Sequence, residues 1–353
     1  MSSYFINNQL YPKSFVMNMN ADDFSGIISE NFPQKLYKYF PNLESNCCNY
    51  SVQALENNTV YLQSPIYFDD PYDSLITIDK SEFMIRMIDF YAGLCGCQLT
   101  SGVGYKQKLN EFSFFITKEL QDGRKIENIF NLQNIKDQVL HNNILASVLL
   151  CECCIVVGYK HENDKVQKAI NLMILENYDH AQKFLCEKFR ISCFTTNPYS
   201  MLMWSHYANG HKGFCIEYDL TAIPDSPLFS TLFPVIYSDE RVSLLEQCIE
   251  FNTLKMLTDQ SFWKVFKYGL LMKSIDWKYQ NEWRYISYDS KYANIGDYNC
   301  KFLPISKVFL GNKMDQDDQD KIINICRTKG IPFTGVTICN DKYEMQDTEI
   351  LNP

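Results

Sequence analysis

Hydrophobic and polar positions divide this chain into stretches of different rhythm. Residues 1–34 hold no sustained period. Asn18, Asn20, Asp22 and Asp23 crowd together and Pro33 punctuates, so the stretch reads as a loosely held polar leader. Leu36-Tyr37-Lys38-Tyr39-Phe40 then predicts a short strand, stopped by Pro41-Asn42. Cys48 to Glu56 has helical spacing, and Thr59-Val60-Tyr61-Leu62 predicts a second strand before the acidic loop Phe68-Asp69-Asp70-Pro71-Tyr72-Asp73. Between residues 79 and 190 apolar positions recur mainly at helical spacing, over Asn128–Val157 and Asn163–Arg190 among others, with Ser81 the expected cap of the first helix. From Ile191 onward the rhythm shortens. Ile191–Thr196, Gly213–Tyr218, Leu232–Tyr237, Glu282–Tyr288, Phe302–Leu310 and Ile331–Ile338 read as strands, while Phe251–Lys273 and Asp315–Lys329 read as helices.

Strands at both ends around a helical middle predict an α+β fold with a mixed or antiparallel sheet. The expected organisation is one domain over 35–340 with a helical insert at about 79–190. The leader 1–34 and a polar tail at 341–353 flank it.

Composition narrows the function classes. A net charge of -9 argues against a generic nucleic-acid binder, which needs excess cationic charge. Fourteen cysteines among 353 residues are too few for a disulfide scaffold. Only Cys151 and Cys154 have C-x-x-C spacing, inside an apolar run, so free, reduced, mostly buried thiols are expected and no metal site. The N-terminus has no continuous apolar segment of the kind a signal peptide carries. The longest apolar run, near Ile144–Val157, is too short to span a bilayer. The cytosol is the expected location, with no membrane partner.

The candidate chemistry lies in three places. Trp204-Ser205-His206-Tyr207-Ala208-Asn209-Gly210-His211 holds two of the five histidines beside an indole, a phenol and a hydroxyl. His206 could bond a ligand hydroxyl or take a proton, whereas His211 suits a turn. On a strand, Gln280, Glu282 and Arg284 would share one face, setting an amide, a carboxylate and a guanidinium together. Lys38 could meet an anion such as a phosphate, and Asp69, Asp70 and Asp73 suit turn chemistry.

These segments together resemble the bacterial domain of unknown function DUF2971. The resemblance rests on Leu36-Tyr37-Lys38-Tyr39, Tyr61-Leu62-Gln63-Ser64-Pro65, Phe68–Asp73, Cys193-Phe194-Thr195, Met203–Ala208 with His211–Ile216, Lys273-x-x-x-Trp277 and Glu282-Trp283-Arg284. It covers roughly residues 35–340. Asp69 stands where that family has Asn, Tyr72 where it has Phe, and Gln280 where Glu is common.

A further resemblance, of plan only, is to the ADP-ribosyltransferases, and it implies NAD as substrate. By position, Lys38 with Tyr39 would hold the NAD phosphate or ribose, and Ser64 would support the pocket. Gln280 would orient the acceptor, a protein or nucleic acid. Glu282 would stabilise the oxocarbenium-like transition state. Trp204 or Tyr207 would stack on nicotinamide, with Ser205 beside them, His206 would contact a hydroxyl, and Arg284 would line the nucleotide site. The family type suggests a toxin-like effector in phage defence. Two rival expectations are a nucleotide-sensing or protein-interaction domain without catalysis, and a hydrolase or nuclease using His206 with Asp70 or Asp73.

Overall fold

A computed structural model describes residues 4–45, 48–131, 163–222, 230–254, 257–288 and 297–348. The chain divides into two units, the first formed by 1–74, 186–240 and 271–353 and the second by 75–185 and 241–270.

The first unit is built on strands. In chain order they are β1 Tyr4–Ile6, β2 Gln9–Tyr11, β3 Lys35–Phe40, β4 Thr59–Leu62, β5 Phe189–Thr195, β6 Phe214–Asp219 and β7 Leu232–Pro234. Then come β8 Ile236–Ser238, β9 Met272–Ser274, β10 Glu282–Tyr288, β11 Tyr298–Lys301, β12 Ile305–Leu310, β13 Phe333–Ile338 and β14 Met345–Thr348. Eight of them form a sheet in the order β14-β13-β12-β6-β3-β5-β10-β7. Only β12 and β13 run parallel within it, so the α+β, mixed-sheet expectation holds. A second sheet orders β2-β1-β8-β9, and β4 pairs with β11.

Alternation along the strands separates two faces. Leu36 and Phe40 of β3, Phe194 of β5, Ile216 of β6, Trp283 of β10 and Val308 of β12 face one side, where Ile322, Ile323 and Cys326 of the Gln316–Lys329 helix and Leu55 of the Tyr50–Asn57 helix cover them. Tyr37, Tyr39, Cys215 and Phe309 face the other side beneath Met203 and Trp204 of the short helix Met201–Tyr207. Glu282 and Arg284 lie on this second face. The register pairs Glu282 with Thr195, Thr195 with Tyr37, and Tyr37 with Glu217.

The second unit is helical. It contains Lys80–Leu94, Tyr105–Gln121, Ile126–Ile129, most of Asn163–Lys188, Leu245–Leu254 and Asp259–Leu270. Phe83, Met87, Phe112, Ile116, Ile170 and Ile174 are buried, and Asn177 donates to the Tyr91 hydroxyl at 2.8 Å. Most of the predicted Asn128–Val157 helix, the Ile144–Val157 run and the Cys151/Cys154 pair fall outside the described residues. No described helix is long and apolar enough to cross a membrane.

Several local expectations change. Residues 4–30, read from composition as a polar leader, form two strands and the helices Lys13–Asn18 and Ala21–Glu30. Sparse but well-spaced apolar side chains explain this: Tyr4, Ile6, Val16 and Phe24 are all buried, β1 pairs with β8, and Asn20 and Asp23 close a capping box. Asp79, not Ser81, caps the Lys80–Leu94 helix by accepting from Glu82 N at 2.8 Å. The helical unit also takes in 241–270, beyond the expected insert. The ten described cysteines are free, but only Cys215, Cys248 and Cys326 are buried and the rest are half-buried.

Two glycines allow the site's supporting turn to close. A Cβ on Gly213 would stand 2.0 Å from Phe40 O, and one on Gly311 would stand 2.1 Å from His211 O. Backbone cannot yield cheaply there. Gly213→Ala and Gly311→Ala should each cost about 1–3 kcal/mol through overpacking. A melting curve should show a fall of several degrees, and an unchanged Tm for both would contradict the close approach.

Candidate functional site

The Trp-Ser-His-Tyr block folds as a helix, a left-handed turn and a strand. Ser200 caps Met201–Tyr207 by accepting from Met203 N at 3.4 Å. Asn209, Gly210 and His211 all take positive φ (49°, 61° and 71°), and their turn is closed by His211 N donating to Trp204 O and Gly213 N to Ala208 O. Trp204 is fully buried. Its Nε1 donates to Pro198 O at 2.8 Å, and Tyr39 meets it edge-on at 5.1 Å. Ser205 and His206 are exposed on the other side of the helix.

Ser205 and His211 approach within 3.1 Å, Oγ to Nε2. This pair is not an activated nucleophile. The single Ser205 proton is donated to Met201 O at 2.9 Å, so His211 must be the donor through Nε2–H. That tautomer leaves Nδ1 as a bare lone pair, and Nδ1 indeed has no partner. Burial and the nearby Lys313 lower the His211 pKa, which keeps the ring neutral.

The second constellation is a buried cluster of four charges. Arg284 has no exposed surface, and its Nε donates to Glu282 Oε1 at 2.7 Å while a terminal nitrogen donates to Asp73 Oδ2 at 2.6 Å. Lys273 Nζ reaches Glu282 Oε2 at 2.7 Å, Asp73 Oδ2 at 3.2 Å and Gln280 Oε1 at 2.8 Å. Ser74 donates to Asp73 Oδ1 at 3.0 Å, and the Tyr237 hydroxyl receives Glu282 N at 2.8 Å. Two cations and two carboxylates cancel, and charge-assisted bonds satisfy them, which is the condition for burying ions at tolerable cost. Burial pushes the Glu282 carboxyl up, but Arg284 and Lys273 together hold it well below the usual carboxylate range. Burial likewise pushes Lys273 down, and Glu282 and Asp73 overcome it, so the ammonium stays charged.

Gln280 is not on the strand with Glu282. It ends a 3-10 helix, Ile275–Gln280, and Asn281 turns left-handed (φ 44°) before β10 begins. The amide nevertheless joins the cluster, because Lys273 holds its oxygen. Its Nε2 donates to the Tyr207 hydroxyl at 2.6 Å. The two sequence blocks therefore meet at Gln280 and Tyr207. His206 borders this contact, with ring centroids 6.3 Å from Tyr207 and 6.1 Å from Tyr279; Trp277 lies 6.1 Å from Tyr279 and 5.3 Å from the Lys273 ammonium.

Tyr207, Gln280, Glu282 and Arg284 thus converge, with His206 at the rim. The other candidates stand apart. Lys38 pairs in register with Ile216 on the face opposite Glu282, where its amine donates to Cys193 O at 3.0 Å over the Phe194 ring. Burial lowers its pKa. Tyr39 donates to Asn197 O at 2.9 Å beneath Trp204, and Trp204 itself is core. Ser64 spends its hydroxyl on Cys186 O at 2.9 Å. Asp70 accepts from Tyr72 N at 2.9 Å in its own turn, and Asp73 is committed to Arg284 and Lys273; no hydrogen bond or ion pair joins either to His206. Sequence reading missed Lys273, Tyr237 and Tyr279 as site residues. The Lys273-x-x-x-Trp277 spacing was visible, but its partner Asp73 lies 200 residues earlier.

Residues 203–285 match the family described as protein of unknown function (DUF2971). The matched segment contains Tyr207, Lys273, Gln280, Glu282 and Arg284, and it excludes Lys38 and Asp73. No curated protein and no solved structure matches the chain.

Removing Arg284 would leave Asp73 and Glu282 short of their cation. Arg284→Met should destabilise the chain by about 3–5 kcal/mol, measured by denaturant unfolding, and a loss below about 1 kcal/mol would contradict the pairing. The acid response has a definite sign. Because Glu282 is depressed in the folded chain, its contribution is complete above the ordinary glutamate value of about 4.3 and drains as pH falls below it. Glu282→Gln lacks this titration. The Tm gap between wild type and Glu282→Gln should narrow on acidification through that value; a constant gap would contradict it.

Proposed function

We propose that the chain is an enzyme of ADP-ribosyltransferase type with NAD as substrate. The observation that carries this reading is the 2.6 Å bond from Gln280 to Tyr207, which joins the Gln280-x-Glu282 pair to an aromatic, partly open surface. Tyr207, Tyr279, Trp277 and His206 supply rings against which a nicotinamide or adenine can lie. Glu282 supplies a carboxylate that stays ionised.

In the reaction the bond from ribose C1′ to the nicotinamide nitrogen breaks, and its electron pair leaves with nicotinamide. Positive charge then develops at C1′ and the ring oxygen, where a fixed carboxylate stabilises it. An acceptor nucleophile, or water, adds to C1′ and gives up its proton to solvent. Both Glu282 oxygens are paired before substrate arrives. Lys273 takes the anion-holding part that the resemblance gave to Lys38. A diphosphate that replaces Glu282 on Lys273, with the bond from Lys273 to Gln280 kept, releases Oε2 to face the sugar.

That same full pairing favours one other reading, a pocket that binds a nucleotide without chemistry. Incubation with NAD labelled in nicotinamide separates the two. The enzyme reading predicts nicotinamide release by the wild type, falling about 10²-fold or more in Glu282→Gln. Binding of NAD without release gives the second reading, and neither binding nor release sinks both.

A further inference from the structure

Gln280 is held at both ends. Its Oε1 receives Lys273 Nζ at 2.8 Å, and its Nε2 donates to the Tyr207 hydroxyl at 2.6 Å. An ammonium carries donors only, so flipping the amide would set two donors face to face. Lys273 therefore dictates which way Gln280 points. That settles the phenol in turn. The Tyr207 oxygen accepts, and its own proton cannot be directed at the Gln280 nitrogen. The Tyr207 O–H finds no acceptor among the described residues; its one hydrogen bond is the one it receives. Burial raises the Tyr207 pKa well above the ordinary phenol value, so the proton stays on at neutral pH.

A second phenol lies beside the same Gln280 amide. The Tyr279 hydroxyl is buried and has no hydrogen-bond partner. Tyr207 and Tyr279 both flank the exposed His206 ring. Unspent donors are costly when buried, unless a ligand or ordered water takes them. Tyr207 as a residue is half-buried, not fully enclosed.

We infer that Tyr207 donates its phenolic proton to an oxygen acceptor on the ligand, and that Lys273, acting through Gln280, sets this polarity. The chemical class selected is a planar ring bearing a carbonyl, a description that the carboxamide of nicotinamide meets. Tyr207 is the residue that touches the ligand. Gln280 and Lys273 are positioning residues. The inference rests on the reading of this surface as the NAD site.

Calorimetry tests it with NAD and with free nicotinamide, on wild type, Tyr207→Phe, Gln280→Glu and the double variant. Tyr207→Phe removes the donor. Gln280→Glu keeps an acceptor for Lys273 but offers Tyr207 a carboxylate, which captures the phenolic proton and turns it away from the ligand. Each single variant should bind about tenfold more weakly, the worth of one hydrogen bond. The double variant should be no weaker than either, because both act on the same proton. Near-wild-type melting curves establish that all variants fold. Wild-type affinity in either single variant overturns the inference and leaves the NAD reading standing. Binding of nicotinamide but not NAD, still weakened in both variants, overturns the NAD reading and keeps the inference. No binding of either compound overturns both.

Discussion

Arg284 brings a positive charge to a place in the sheet with no access to water. Leaving it unpaired there would cost several kcal/mol, so the fold must deliver carboxylates to it. Glu282 comes from the same strand, two residues earlier and on the same face. Asp73 comes from the far end of a loop some two hundred positions away. Lys273 then balances the second carboxylate. Asp73 lies next to the end of the first segment of the strand-built unit, Tyr237 near the end of the second, and Lys273 near the start of the third. The cluster thus lies beside the points where the chain leaves that unit after 74 and 240 and returns to it at 271. Its electrostatics and the unit's continuity are one problem with one solution.

The candidate surface follows from this cluster. Lys273 is fixed by Glu282 and Asp73, Gln280 by Lys273, and Tyr207 by Gln280. Each link is a bond between a group with only donors and a group with a free acceptor, so orientation passes outward without ambiguity. The Met201–Tyr207 helix is held from beneath by Trp204, whose indole is bonded to Pro198 O and wedged against Tyr39. Buried aromatic packing and a buried charge network therefore grip the two sides of one surface. The rings that remain partly open, Tyr207, Tyr279 and Trp277, are those with neighbours on the polar side.

Much of the strand-built framework was legible in the sequence. Alternation marked β3, β6 and β10, and acidic residues ahead of an amphipathic run marked the Gln316–Lys329 helix. What escaped was set by position relative to distant groups. Lys38 lay on a predicted strand, yet which face it took depended on the register of β3 against β5 and β6, which no local pattern fixes. Gln280 was expected in line with Glu282, but the left-handed Asn281 breaks that line, and only Lys273 restores the association. The N-terminal elements were missed because a few buried anchors, Tyr4, Val16 and Phe24, suffice when a capping box and a pairing strand support them.

The most direct measurement is a crystal structure of the chain with NAD bound. The expected result is the nicotinamide ring against Tyr207, its carboxamide oxygen within hydrogen-bond distance of the phenol, and Glu282 Oε2 released from Lys273 toward the ribose. NAD bound away from Tyr207, with Glu282 still paired to both Lys273 and Arg284, would contradict it.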